Sequence, residues 1–175
     1  MKHIFRFLAA VAVMLFVACA CAKEGTRRFE GNYTFKTGGT LSVRPVTDNS
    51  TDNSAELSDM AIVPESGQMD IVTTDKSSGG MIVTMNILGG TVVTFDAKAD
   101  GSILTLSPIK RQVTLSPPNL SSDLLRPLAD VEVCGYGERF ENIIIFRLDY
   151  KGHYTYSGTE YEIVGSAVDC VAKMN

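Results

Sequence analysis

Histidine is almost missing from this sequence. Two occur in 175 residues, and His3 lies in an amino-terminal leader, so only His153 serves the rest of the chain. A histidine-rich metal site is thereby excluded, and a Ser/His/Asp triad would have to be built on His153. That residue follows Gly152 at an expected bend, and no Gly-x-Ser-x-Gly elbow accompanies it, which favours a surface histidine over a catalytic base. Basic residues are also scarce: Lys2 and Arg6 belong to the leader, leaving 14 of the 16 against 20 acidic residues, a net charge of about −6. That sign repels phosphate backbones, and without a basic stripe it excludes nucleic acid as a partner. Four cysteines are too few for a disulfide-stapled mini-protein. None is needed, because a domain of about 150 residues buries roughly 68 to 70% of its unfolded surface. After the leader no apolar run approaches the ~20 residues of a membrane-spanning helix.

The leader carries the strongest signal present. Lys2, His3 and Arg6 form a cationic start, and Phe7 to Ala18 is an unbroken apolar segment, the length of a secretory h-region. Cys19-Ala20-Cys21-Ala22 follows at once. Read as a lipobox, either cysteine becomes a diacylglyceryl thioether and the first residue of the mature protein. Read as an A-x-A site, cleavage after Ala22 releases a soluble periplasmic protein. Two cysteines directly behind an h-region favour lipidation, at Cys19 or Cys21. Two acyl chains exceed the marginal hold of one, at about 0.8 kcal/mol per buried methylene. The expected organisation is thus residues 1–22 as signal and anchor region and 23–175 as one folded domain. The expected location is the outer membrane, on its periplasmic or surface face.

From Gly31 onward, short β-rich runs alternate with clusters of Gly, Asn, Asp, Ser and Pro, the mark of antiparallel sheet. Thirteen candidate strands between Asn32 and Lys173, broken among other places at Gly38-Gly39, after Ser107 at Pro108, at Gly152 and at Gly165-Ser166, are expected to merge into fewer. Gly38-Gly39, Gly89-Gly90, Asp100-Gly101 and Ser157-Gly158 supply the backbone angles of tight hairpins. By the period of two, Met81, Val83, Met85 and Ile87 share a face, as do Val93, Phe95 and Ala97, and Ile144, Phe146, Leu148 and Tyr150; these are the expected core rows. Ile143 and Ile145 lie on the opposite face, so that strand is apolar on both sides and expects a cover or a partner. The sole helical signal is Ser121 to Arg126, between Pro118 and Pro127, a packed connection of a turn or two. The expected fold is all-β: a closed antiparallel up-and-down barrel, with a two-sheet sandwich as the alternative.

Few constellations suggest chemistry. Glu160 and Glu162 share a strand face with α-carbons roughly 6.6 Å apart, a spacing that could hold two glycosidase carboxylates, but alternation with Tyr161 and Ile163 reads as a solvated face. Asp48, Ser50, Asp52 and Asp59 occupy calcium-loop positions, yet Asn53 replaces the turn glycine and Asp59 the bidentate glutamate, which favours a polar loop. Cys134 and Cys170 form a candidate disulfide that requires a change of strand phase near Gly135. Tyr136, Tyr150, Tyr154, Tyr156 and Tyr161 gather in the last third of the chain, where they could line a ligand site or simply pair across strands. No nucleophile, base and orienting group converge, so no enzyme and no cofactor is expected.

The leader with its early cysteines, the opening Phe29-Glu30-Gly31-Asn32-Tyr33-Thr34, and the ending Tyr161 to Ser166 through Cys170 to Lys173 resemble the small calycin-like (lipocalin-like) lipoproteins of Gram-negative gut anaerobes. Lipocalins proper carry Gly-x-Trp where this chain has Gly31-Asn32-Tyr33, and the sequence contains no tryptophan. The resemblance implies a β-barrel that could enclose a cavity. The expected function is a non-enzymatic envelope lipoprotein that binds a small apolar or glycan ligand, or a protein partner. The alternative is an accessory envelope subunit with a filled barrel.

Overall fold

The alternation of apolar and polar residues places nine strands in a single antiparallel sheet in the computed structural model, which describes residues 25–46, 57–117 and 126–175. They are β1 (Gly31–Pro45), β2 (Ser58–Ile62), β3 (Ser66–Asp75), β4 (Gly80–Ile87), β5 (Val92–Asp100), β6 (Ile103–Ser116), β7 (Leu128–Phe140), β8 (Ile143–Tyr156) and β9 (Thr159–Met174). From β3 to β9 each strand pairs with the next, and β9 returns to pair with β1 from Tyr33↔Met174 to Pro45↔Tyr161. The sheet therefore closes on itself, as the up-and-down pattern predicts, and no edge is left between first and last strands.

Four of the expected breaks are continuous strand. Gly38-Gly39 is not a hairpin but lies inside β1, where Gly39 faces β9 so closely that a Cβ would collide with the Ala167 carbonyl oxygen. Glycine is needed there for approach, not for turning. Ser107-Pro108 is a bulge within β6, Gly152 lies inside β8, and Gly165-Ser166 sits in β9 beside its own register shift. A bulge spends a residue without ending pairing, and so reads in sequence as a loop. Gly89-Gly90, Gly101 and Ser157-Gly158 do turn the chain with positive φ.

β2 and β3 together act as one barrel strand with a gap. Both pair with β1 on its same side, β3 against Gly31–Lys36 and β2 against Thr40–Val43, and Val63-Pro64-Glu65 lies between them. Pro64 has no N–H to donate, which suits the break. β4 and β5 pair only along the β3 half, so β2 pairs directly with β6 through Ala61↔Ser116 and Ile62↔Leu115. The ring counts eight strands at the end holding the β7–β8 turn and six at the other.

The expected core rows all face inward. Met81, Val83, Met85, Val93, Phe95, Ala97, Ile144, Phe146, Leu148 and Tyr150 are buried, with Ile87 packed against them. They form one cluster with Phe29, Tyr33 and Phe35. Phe29 closes the eight-strand end: Thr26 O accepts from Phe29 N at 3.0 Å and Glu30 N at 3.3 Å, making a turn that caps the interior. Tyr33 Oη donates to Phe29 O at 2.8 Å, so its aromatic body fills the base while its hydroxyl stays paired.

Candidate functional site

The most polar part of the interior lies at a seam in the wall. β5 leaves β6 after only four pairs, Ala97–Asp100 with Leu106–Ile103. Among the described residues, the edge of β6 then has no strand beside it until Val63 N donates to Thr114 O at 2.9 Å and β2 takes over. Across this seam Arg111 reaches Glu65. The Ser107-Pro108 bulge shifts the phase of β6, so Arg111 shares the inward row of Ile109, Val113 and Leu115, opposite buried Val131. Its guanidinium holds Glu65 through two nitrogens, Nη1 at 3.0 Å from Oε2 and Nη2 against Oε1. Their side chains are only 12% and 23% exposed.

Glu65 is fixed from its backbone side as well. Thr37, 2% exposed on β1, accepts from Glu65 N through Oγ1 at 2.8 Å, and its own N donates to Glu65 O at 2.7 Å. These bonds replace ladder contacts that the β2–β3 gap would leave unmade. Cys170 lies opposite Thr37 on β9 and Tyr150 points inward from β8. Burial pushes the Cys170 thiol up to about 12, with Glu65 adding to it; burial likewise pushes the Tyr150 phenol up, opposed by Arg111. Both groups are neutral at physiological pH, so the cluster consists of one closed ion pair and uncharged neighbours. It acts as a bolt across the seam.

The five candidate tyrosines divide between the two faces. Tyr150 and Tyr154 are buried inward on β8, and Tyr156 and Tyr161 pack against the core. Tyr154 and Tyr161 are cross-strand partners whose rings stack at 5.1 Å and 10°. Burial pushes the Tyr154 phenol up to about 12, and its hydroxyl has no hydrogen-bond partner among the described residues. Tyr136 faces outward, 41% exposed, in a surface groove of about 720 Å³ lined in part by Ile103, Pro108, Cys134 and Arg147. These residues thus do not converge on one pocket.

The remaining candidates are engaged in ordinary contacts. Glu162 accepts from Arg44 Nε at 3.0 Å and Nη2 at 2.7 Å, while Glu160 lies 3.6 Å from His153 Nδ1, so each glutamate faces a side chain of the neighbouring strand at the surface. Among the described residues, Cys134 and Cys170 are both free thiols. β7 keeps its phase through Gly135, leaving Cys134 on the outer face and Cys170 inside, and no disulfide can cross the wall between them. Cys19 and Cys21, most of the calcium-like loop and most of Ser121 to Arg126 lie outside the described residues. Asp59 is described, and its carboxylate accepts from Ser42 Oγ at 3.4 Å.

The sequence reading passed over the Arg111–Glu65 pair because 46 residues and no motif link them. The available signal was an arginine at an inward position of a strand just after Ser-Pro, provided the bulge had been recognised. No protein-family model matches the chain, and no curated protein is significantly similar to it.

Proposed function

We propose that this protein is a non-catalytic envelope lipoprotein, tethered through Cys19 or Cys21, whose barrel interior is structural and whose outer surface does its work. The observation that carries this reading is the filling of the interior. Met81, Phe95 and Phe146 are each 1% exposed within one continuous core that also takes in the stacked Tyr154. A carrier of apolar ligands instead keeps a concave site of about 300 to 1,000 Å³ able to enclose its cargo. Among the described residues, the charged pair of the interior, Arg111 and Glu65, is spent on itself. Native mass spectrometry of the mature protein purified from its own cells tests the reading. The expected spectrum contains the acylated polypeptide alone, and a reproducible stoichiometric small-molecule adduct overturns it.

A second reading rests on Tyr136, whose ring stands in an open groove of ligand size. An exposed aromatic face beside Arg147 suits stacking of a sugar ring from an extended glycan. Chemical-shift changes confined to Tyr136, Ile103 and Arg147 on titration with envelope polysaccharide would favour it, and uniform absence of shifts would remove it.

A further inference from the structure

We propose that the outer face around the β7–β8 hairpin is a membrane-docking surface that lies against the bilayer holding the anchor. This rests on the tethered reading given above. Phe140 and Ile143 are cross-strand partners on either side of the two-residue tip Glu141-Asn142. Ile145 continues the same row and pairs with Val171 on β9. Phe140 is 55% exposed, Val171 43% and Ile145 37%, and Ile143 is partly exposed. A cover over Ile143 and Ile145 was expected from sequence, and none is present among the described residues. Apolar side chains gathered at a hairpin tip and along its flank are costly in water and gain by entering a lipid interface.

The occupant follows from where the tether leaves the domain. Arg28 Nη2 donates to Arg139 O at 3.0 Å, and Arg139 Nη1 donates back to Arg28 O. Arg139 also donates from Nε to Glu141 O at 2.6 Å. The chain therefore enters the barrel bonded to the residue beside Phe140. From Gly25, four residues lead back to Cys21 and six to Cys19, which at full extension reach about 14 and 20 Å. A diacyl group so tied cannot hold this end of the barrel far from lipid. The six-strand end is the part free to face away. Arg28, Arg147 and Lys173 border the patch with some positive charge, against Glu138, Glu141 and Asp169. The apolar residues carry the argument, and the charges help only on anionic lipid.

The lack of tryptophan makes the test direct. F140W and L88W each give the full-length lipoprotein a single tryptophan, at the proposed face and at the β4–β5 turn, which lies partway along the wall where Leu88 N donates to Ser66 O and Leu88 is 76% exposed. Each is expressed in its own cells and reconstituted in phosphatidylethanolamine–phosphatidylglycerol vesicles containing chain-brominated phosphatidylcholine. The expected result is quenching of F140W several-fold stronger than of L88W. Equal quenching, or none for F140W on protein that floats with the vesicles, overturns the docking face and leaves the tether standing. Protein that carries no acyl mass and does not float overturns the tether and the docking face together. A stable dimer in which F140W is shielded from aqueous acrylamide would assign the patch to a second copy, which also overturns the proposal.

Discussion

Removing Arg111 should cost the fold far more than a surface ion pair would suggest. In Arg111→Met the methionine can pack in the inward row, but the Glu65 carboxylate stays where Thr37 holds it, with its cation gone. Exposed pairs contribute roughly 0 to 1 kcal/mol, whereas stripping one partner from a buried pair costs about 3 to 5 kcal/mol, because a desolvated charge is left behind. With side chains 12% and 23% exposed, this pair sits nearer the buried limit, and the expected loss is about 3 kcal/mol. For a domain of this size that corresponds to a fall in Tm of roughly 6 to 12 °C. Replacing both residues, Glu65→Met with Arg111→Met, removes the stranded charge and should return stability to within about 1 kcal/mol of the parent. Urea unfolding of the two single variants and the double variant completes the cycle. A single-variant loss below about 1 kcal/mol, or a double-variant loss equal to the sum of the singles, would show that the seam is not bolted by this pair.

Gly39→Ala should destabilise by about 2 to 4 kcal/mol, since its Cβ meets Ala167 O in the β1–β9 ladder that closes the sheet, at a φ of 146°; thermal unfolding reads the loss, and an unchanged Tm refutes the close approach. Tyr154→Phe should leave stability unchanged or raise it by up to about 1 kcal/mol, because a hydroxyl without a partner is removed, whereas Tyr33→Phe breaks the bond to Phe29 O and should cost about 1 kcal/mol. Both are read by urea midpoint, and equal effects would contradict the assignment. Stability should fall as pH rises from about 9 toward 12, because the folded Cys170 thiol and Tyr154 phenol stay protonated to about 12 while the unfolded groups ionise from about 9 and 10. Cys170→Ala should flatten the earlier part of that slope in urea midpoints taken across pH, and an identical slope would remove the thiol as its cause.

The legibility of this chain followed the range of the forces involved. Alternation is local, so strand positions, inward rows and all-β character could be read from Met81 to Ile87 or Ile144 to Tyr150 alone, because one slip of register would expose every one of those side chains. Continuity is not local. Gly38-Gly39 carries the composition of a turn, yet its identity is set by β9 pressing against it from more than a hundred residues away, and Pro108 and Gly152 were misread for the same reason. The tyrosines show the converse: their clustering in sequence suggested one site, but the period of two sent Tyr136 to the outer face and the other four to the inner one. The Arg111–Glu65 pair depends on both effects at once, since the bulge turns Arg111 inward and the Pro64 break places Glu65 opposite it. Each irregularity alone would strand a charge in the core, so the two are coupled through the ion pair they bring together. A seam that needs such a bolt is the weakest line in an otherwise closed wall, and local opening of this barrel should begin there.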